Sequence, residues 1–251
     1  MPYLFIFLYG LIFGSFFNVV GLRIPNNVSI VKPRSACPNC QHQLTPLELL
    51  PVFSYLLQKG KCKKCSIKIS PLYPSFELLT AILFTISPLL VGWSKELIVT
   101  LTLISMLMII VVSDIKYMII PDKVLLFFAP LFMLERIFIP LNPWWNPLLG
   151  ATVGFFLLLL IAVISKGGMG GGDIKLFAVL GLVLGWKLVL LAFFISTFFG
   201  AVFGIIGMLF KKVERGKPMP FGPYIAHGTL VAYFYGENLI NWYSVNFLML
   251  L

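Results

Sequence analysis

The sequence predicts an all-α, polytopic membrane protein with about eight transmembrane helices and one hydrophilic loop that contains all four cysteines. The main observation is composition: hydrophobic residues make up 59% of the 251 residues, charged residues only 11%, and the mean hydropathy is +0.98. Soluble domains are typically about 45–50% apolar and about 25% charged. So few charges cannot cover a soluble surface, and the composition therefore excludes soluble enzymes, disordered tails and disulfide-rich secreted domains.

Long apolar runs define the predicted helices, because a bilayer crossing takes about 20 predominantly apolar residues. Only Gly185-Trp186-Lys187 separates the sixth run from the seventh. We interpret Met1–Leu22 as a retained first helix and not as a signal peptide, because it lacks a basic start and a small-residue cleavage site. No internal repeat is evident. The eight predicted segments are 3–22, 75–93, 97–113, 124–140, 148–165, 174–190, 191–210 and 223–247.

The basic residues are distributed unevenly among the loops, and this predicts the orientation of the chain. With the N-terminus outside, the cytoplasmic loops are 23–74, 114–123, 166–175 and 211–222, and they carry sixteen of the nineteen lysines and arginines. Positive charge beside hydrophobic segments marks the cytoplasmic face and favours contact with anionic membrane lipids. We expect no nucleic-acid binding, because no aromatic side chains are interleaved with the basic ones as stacking platforms.

The four cysteines form two Cys-x-x-Cys pairs, 21 residues apart, in the basic loop 23–74. On the reducing side of a membrane, this pattern favours a metal site over disulfides or redox thiols. Four thiolates complete the tetrahedral shell of a structural Zn²⁺ ion. We therefore predict a cytoplasmic zinc-binding loop, in which His42 is solvated or lies beside the ligands. The predicted ligands are Cys37, Cys40, Cys62 and Cys65.

Asp114 and Asp173 lie where apolar segments meet the predicted cytoplasmic face. Ionisable groups at such positions are costly and are functional by default. Two carboxyl groups in one site can divide the work, one keeping a proton while the other acts as a base toward water, as in aspartic proteases. Alternatives remain open: Asp173 as a helix N-cap, Asp114 paired with Lys116 or Lys175, and Asp122 as a rival to Asp114 or simply a cap or loop charge.

A glycine-rich segment, 167–172, precedes Asp173. Glycines permit tight turns and the close approach of another chain. A nucleotide-binding loop is not predicted, because no Lys-Ser/Thr pair follows the glycines and no strand precedes them. Two other functions stay open on the residues alone. One is an ion- or proton-coupled transporter that uses the intramembrane aspartates, and the other is a membrane scaffold that binds a partner through the zinc loop.

A set of motifs along nearly the whole chain resembles the type IV prepilin peptidases, and most closely the competence-type leader peptidases of that family. In chain order, these motifs are Gly14-Ser-Phe-Phe-Asn-Val19 with Arg23-Ile-Pro25, the two Cys-x-x-Cys pairs, Pro51-Val-Phe-Ser-Tyr55, Tyr73-Pro74 with Glu77, Asp114-Ile-Lys116, Ile120-Pro121-Asp122, Gly170-Gly-Gly172-Asp173-Ile-Lys175 and Pro220-Phe221-Gly222-Pro223.

The resemblance implies an aspartic endopeptidase of the inner or plasma membrane. Such an enzyme removes the basic leader of prepilins and pseudopilins after a glycine, at the cytoplasmic face. It implies Asp114 and Asp173 as the catalytic pair and favours Asp114 over Asp122. The residues that the resemblance places in the surrounding substrate loops are Gly170, Gly172, Lys116 and Lys175.

The resemblance also implies methylation of the new N-terminus, with S-adenosylmethionine as the methyl donor. No motif identifies the methyl-transfer site, and Glu48 is the one residue that we select for it. The predicted division of the chain is therefore a first transmembrane helix at 1–22, a zinc-ribbon-like loop associated with methyl transfer at 23–74, and a transmembrane peptidase core at 75–251.

Overall fold

A computed structural model describes residues 1–166, 168–210 and 219–248, without the side chains of residues 247 and 248. Gly167 of the glycine-rich segment and the basic residues predicted at 211–217 in the last cytoplasmic loop lie outside the described residues. The chain divides into two compact units, Met1–Ser113 and Asp114–Leu251. The predicted functional division at residues 22 and 74 stays a prediction.

The described structure is helical and contains no strand within these residues, which confirms the predicted all-α class. A 3₁₀ turn, Ile24–Asn26, extends the first helix, and a π-helical turn, Ser244–Leu248, follows the last. The helices are α1 (Pro2–Arg23), α2 (Phe53–Leu57), α3 (Leu72–Val91), α4 (Glu96–Tyr117), α5 (Asp122–Phe138), α6 (Asn146–Ile164), α7 (Gly171–Leu209) and α8 (Gly222–Tyr243).

Five of the described helices are long and apolar enough to cross a membrane. Every predicted segment has a helical counterpart. Segments 174–190 and 191–210 correspond to two helices that meet at Gly185 within α7 and fold back on each other, since the rings of Phe177 and Phe193 lie 5.7 Å apart. Because five described helices have the length and hydropathy of a membrane span, the predicted number of eight is approximate, while the polytopic membrane architecture is confirmed. The five spans are Pro2–Asn26, Leu72–Val91, Glu96–Tyr117, Asn146–Ile164 and Gly171–Leu209.

In the first unit, α1 packs along α3 through two glycines. A Cβ atom on Gly10 would lie 2.5 Å from the Cα of Ala81, and one on Gly14 would lie 2.8 Å from the Cα of Glu77. Real Cβ atoms do not approach a backbone so closely, so only glycine permits this contact. Small residues commonly bring membrane helices together in this way.

In the second unit, the two helices that make up α7 pack against α5, α6 and α8. Its backbone leaves the helical conformation at Gly185, where φ is +75°, a region that glycine adopts at little cost. The break predicted at this glycine is confirmed. Side chains from neighbouring helices bond to the backbone around it: Arg136 donates to the Val183 carbonyl at 2.7 Å, and the Trp186 N–H donates to the Asn146 side chain at 3.0 Å.

Candidate functional site

Asp114 lies in the last turn of α4 and is only 6% exposed. Its Oδ2 accepts a hydrogen bond of 2.6 Å from the backbone N–H of Gly222, the first residue of α8. A Cβ atom at position 222 would lie 2.8 Å from that same oxygen. Gly222 therefore lets the start of α8 come close enough to orient the buried carboxyl group.

Asp173 lies in the first turn of α7, three residues after the N-cap residue Gly170. Its carboxyl group lies close to the backbone of Gly170. The N-cap residue of α7 is Gly170 and not Asp173, so Asp173 does not have the N-cap position considered for it. Of the two aspartates, Asp114 accepts a hydrogen bond from a glycine N–H, that of Gly222.

The structure brings the Asp114 and Asp173 carboxyl groups close enough to interact electrostatically. Asp122 is placed differently, since its side chain is 56% exposed and its Oδ2 lies 2.7 Å from Nζ of Lys175. An exposed ion pair of this kind contributes little stability. Lys116, the other basic residue predicted near the site, is exposed at the end of α4. The buried position beside Asp173 therefore belongs to Asp114 and not to Asp122.

Gly172 is the point of close approach predicted for the glycine-rich segment. A Cβ atom at this position would lie 2.9 Å from the Cβ of Ile120, which is buried between the Asp114 and Asp122 segments. The neighbouring Gly171 faces open space, with nothing within 4 Å of an added Cβ. Only one of these two adjacent glycines is therefore required by packing.

The four cysteines of the loop are free thiols, and their Sγ atoms all lie within 4.8 Å of one another. Sγ of Cys37 lies 3.7 Å from that of Cys65, and Sγ of Cys40 lies 3.9 Å from that of Cys62. Four thiolates at about 2.3 Å from a tetrahedral Zn²⁺ would be about 3.8 Å apart. The cluster therefore has the donors and the size that a tetrahedral metal ion requires, and His42 lies outside it.

The two cysteine pairs lie in equivalent turns, a repeat that is not evident in the sequence. The Cys37 N–H donates to the His42 carbonyl, and 25 positions later the Cys62 N–H donates to the Ile67 carbonyl. The return bonds and the flanking bonds of the two turns also correspond. In both turns, the residue after the second cysteine has a positive φ: Gln41 at 54° and Ser66 at 57°. The loop is therefore built from two copies of one backbone turn.

Glu48, the residue selected for methyl transfer, is nearly buried, with 6% of its side chain exposed. Its Oε2 accepts hydrogen bonds from the N–H and hydroxyl of Thr45, at 2.9 and 2.8 Å, and lies 3.2 Å from Nε2 of His42. The bonds from Thr45 lower the pKa of Glu48 to about 2, so the group is a carboxylate at neutral pH. Its other oxygen, Oε1, is buried without a hydrogen-bond partner among the described residues.

A cavity of about 480 Å³ lies between this loop, the C-terminal end of α1 and the N-terminal end of α3. Its wall includes Glu77, which is 8% exposed and whose Oε2 accepts a 2.7 Å hydrogen bond from the Val52 N–H. Asn18 of α1 donates to the Tyr73 carbonyl at 3.1 Å and also lines the cavity. Sequence reasoning named Glu77 only as part of a motif and did not place Asn18 in a site.

Two family models match the chain. The model described as "Bacterial Peptidase A24 N-terminal domain" matches residues 8–91, and the model described as "Type IV leader peptidase family" matches residues 101–205. The glycine-aspartate segment and the cysteine loop therefore lie in regions that these two models cover. No solved structure matches the chain.

Curated relatives match over nearly the whole chain. One is a prepilin leader peptidase/N-methyltransferase of Bacillus subtilis (strain 168), 48% identical over 238 residues, which cover 95% of this chain and 96% of the relative. Proteins of the same name are 34% identical over 286 residues in Aeromonas salmonicida (strain A449), covering 97% and 95%, and 32% identical over 264 residues in Pseudomonas aeruginosa, covering 94% and 91%.

These matches confirm the resemblance that the motifs indicated, and they give no support to the transporter alternative. Together with the five apolar helices, they identify an integral membrane protein. The chain belongs to the type IV leader peptidase family.

Proposed function

We propose that this protein is a membrane aspartic endopeptidase that removes the basic leader from type IV prepilins or pseudopilins and then methylates the new N-terminal amine. The three relatives described above share the name prepilin leader peptidase/N-methyltransferase, and this name states both activities. The observation that carries the proposal is the pair of interacting carboxyl groups, of which the buried Asp114 accepts a hydrogen bond from the Gly222 N–H.

Asp114 and Asp173 are the proposed catalytic pair. One carboxylate takes a proton from a water molecule, which attacks the carbonyl carbon of the scissile peptide bond after glycine. The other carboxyl group gives its proton to the leaving nitrogen as the C–N bond breaks, which yields a leader carboxylate and a free amine. The N–H of Gly222 orients the Asp114 carboxyl group for this exchange.

The substrate supports this placement of the pair. A prepilin has a basic leader followed by a long apolar helix, and such a helix fits a lipid-facing position beside apolar spans. The leader junction then lies at headgroup depth, where α4 ends and α7 begins. We assign this face and the cysteine loop to the cytoplasm and the N-terminus to the outside, because the loops on that side carry the excess of lysine and arginine. The same charge favours anionic lipids.

The four cysteines are the proposed ligands of a structural Zn²⁺ ion. The Sγ separations of 3.7 and 3.9 Å fit a tetrahedral thiolate site with no open position, so the metal folds the loop and does not take part in hydrolysis. The methyl donor is S-adenosylmethionine. The uncharged amine forms a bond to the methyl carbon as the carbon–sulfur bond breaks, sulfur keeps the electron pair, and the extra proton on nitrogen passes to water.

The experiment that tests this function uses the purified protein in detergent with a prepilin that retains its leader and its apolar helix. Mass spectrometry after incubation, with and without S-adenosylmethionine, separates the two reactions. We expect loss of the leader in both samples and one added methyl group only with the donor present. An intact prepilin, in a preparation that retains its metal and its helical content, would overturn the proposal.

A further inference from the structure

The segment 47–57, which leads into α2 and ends with it, exposes an unusual number of large apolar side chains. It belongs to the loop that joins the membrane spans α1 and α3, yet six of its eleven residues are exposed leucines or phenylalanine, and Leu57 is 82% exposed. Exposed apolar side chains that collect in one place mark a contact with a membrane or with a partner. The six residues of this apolar segment are Leu47, Leu49, Leu50, Phe53, Leu56 and Leu57.

The apolar segment presents no charge to its surroundings. Its one acidic or basic residue, Glu48, is turned inward, since its side chain is 6% exposed and its Oε2 accepts two hydrogen bonds from Thr45. A surface in contact with water normally carries charged side chains among its exposed positions. The exposed side of this segment therefore has the character of a surface that contacts an apolar phase.

Five lysines follow the apolar segment within residues 59–68, and no acidic residue lies among them. All five are exposed. An apolar face next to a row of lysines is typical of segments that lie in the interface of a membrane with anionic lipids, because the apolar side chains enter the bilayer while the ammonium groups stay among the headgroups. The lysines are Lys59, Lys61, Lys63, Lys64 and Lys68.

A hydrogen bond holds the start of α2 beside a membrane span. The Val52 N–H, immediately before α2, donates at 2.7 Å to Oε2 of Glu77. Glu77 lies in the second turn of α3, about 8 Å along this span from its first residue, Leu72. The start of α2 is therefore held against the end of α3 that enters the membrane, where lipid is the neighbouring phase. A partner protein on the apolar segment would first have to displace that lipid.

We infer that the apolar segment 47–57 lies in the surface of the bilayer beside α1 and α3, with its leucines and Phe53 among the upper acyl chains and the lysines of 59–68 on anionic headgroups. The contact fastens the cysteine loop to the membrane between its two covalent ends. The inference goes beyond the proposed function, and its tests measure neither cleavage nor methylation, so each can fail without the other.

Photo-crosslinking of the intact protein in a bilayer tests the contact. Leu57 is replaced by the photoreactive residue benzoylphenylalanine, and the protein is irradiated in nanodiscs of phosphatidylglycerol and phosphatidylcholine. We expect mass spectrometry to find lipid adducts on the peptide that contains position 57. The same probe at Phe156, exposed on the membrane span α6, is the positive control for lipid capture.

Two results of this experiment would overturn the inference. One is the absence of lipid adducts at position 57 when the probe at position 156 captures lipid. The other is capture at position 57 of only a second copy of the chain, or of only another segment of the same chain, which would identify a protein surface as the occupant.

The contribution of the apolar side chains is measured with the probe at Phe53. Replacing Leu56 and Leu57 by serine removes two side chains that the bilayer buries, so lipid capture at position 53 should fall at least about tenfold. Val31→Ser changes an exposed apolar residue of the same loop outside the segment and should leave capture unchanged. Undiminished capture in the double variant, at equal metal content, would show that the segment does not enter the bilayer.

The contribution of the lysines is measured through the lipid. In nanodiscs of phosphatidylcholine alone, the headgroups carry no net charge, and we expect capture at position 57 to fall by about tenfold while capture at position 156 stays the same. Equal capture at position 57 in both lipid compositions would contradict the placement of the lysines on anionic headgroups.

Discussion

The backbone N–H of Gly222 donates a hydrogen bond of 2.6 Å to Oδ2 of Asp114, across 108 positions of sequence. Because a Cβ atom at position 222 would lie 2.8 Å from that oxygen, any side chain there must displace either the start of α8 or the carboxyl group. We therefore predict that Gly222→Ala lowers the rate of prepilin cleavage at least about tenfold, the effect of losing one hydrogen bond to a charged group.

The control for this change is Gly171→Ala, because an added Cβ at position 171 has nothing within 4 Å. Single-turnover cleavage assays on both variants give the comparison. Equal rates for G222A and G171A would show that the contact between Gly222 and Asp114 has no part in the reaction.

The proposed catalytic pair predicts a sharp contrast between three aspartates. Replacement of Asp114 or Asp173 by Asn keeps the size of the side chain but removes the group that takes or gives a proton, so cleavage should fall by about a thousandfold or more. Asp122→Asn should retain most of the activity, because this residue is exposed and only pairs with Lys175.

Metal content and thermal stability, measured on the three aspartate variants, show whether each one folds. An active D173N variant would remove Asp173 from the mechanism. An inactive but folded D122N variant would instead revive Asp122 as a member of the pair.

The equivalence of the two cysteine turns leads to a prediction about the metal. Cys37→Ser and Cys62→Ser should reduce bound zinc to the same extent, since each variant removes the first cysteine from a turn of the same backbone geometry. Zinc is measured by mass spectrometry on the purified protein, with one ion per chain expected before substitution. His42→Ala is the control, because His42 lies outside the cluster and should leave the zinc content unchanged.

Removal of the metal should also make the loop sensitive to proteases. Most residues between α1 and α3 are exposed or half-buried, and such a small segment has little apolar core without its ion. After treatment with a strong chelator, we expect cleavage by trypsin at the lysines of the loop, and protection when zinc is restored. A loop that stays resistant without metal would contradict a structural role for the ion.

The break in α7 predicts a stability effect far from both sites. Arg136 is 6% exposed and donates to the Val183 carbonyl, so Arg136→Met leaves that carbonyl without this partner. We expect destabilisation by about 3 kcal/mol, seen as a lower midpoint of thermal unfolding in detergent. Lys187→Met removes a cation at the same break, but at an exposed position, and should change the midpoint little.

The helices and the two sites were predictable from the sequence to different degrees. Apolar runs and Gly185 indicated the helices and the break in α7, because hydrophobic length and a glycine interruption are properties of the residues themselves. The clustering of the four cysteines followed from the spacing of the two Cys-x-x-Cys pairs and the chemistry of thiolates. In each of these cases, the types of side chain along the sequence are enough to determine the structural feature.

The other features of the two sites depend on hydrogen bonds of the backbone and on contacts between distant parts of the chain. Such bonds and contacts leave no pattern in the order of residue types. The N–H that reaches Asp114 comes from Gly222, and no motif states where a backbone donor points. The two cysteine turns share hydrogen bonds but few residue types, so the repeat is invisible in the sequence. Glu77 lies within an apolar segment, and only the structure shows that its carboxylate bonds to the turn at Val52.

The break at Gly185 also makes the first part of α7 a separate rigid rod. Asp173 lies near one end of this rod, and Gly185 lies about 18 Å away at the other end, by the rise of an α-helix. The far end is fastened to α5 through Arg136 and to α6 through Asn146. A tilt introduced at that end would be transmitted along the rod, so residues about 18 Å from Asp173 help to set the direction of its carboxyl group.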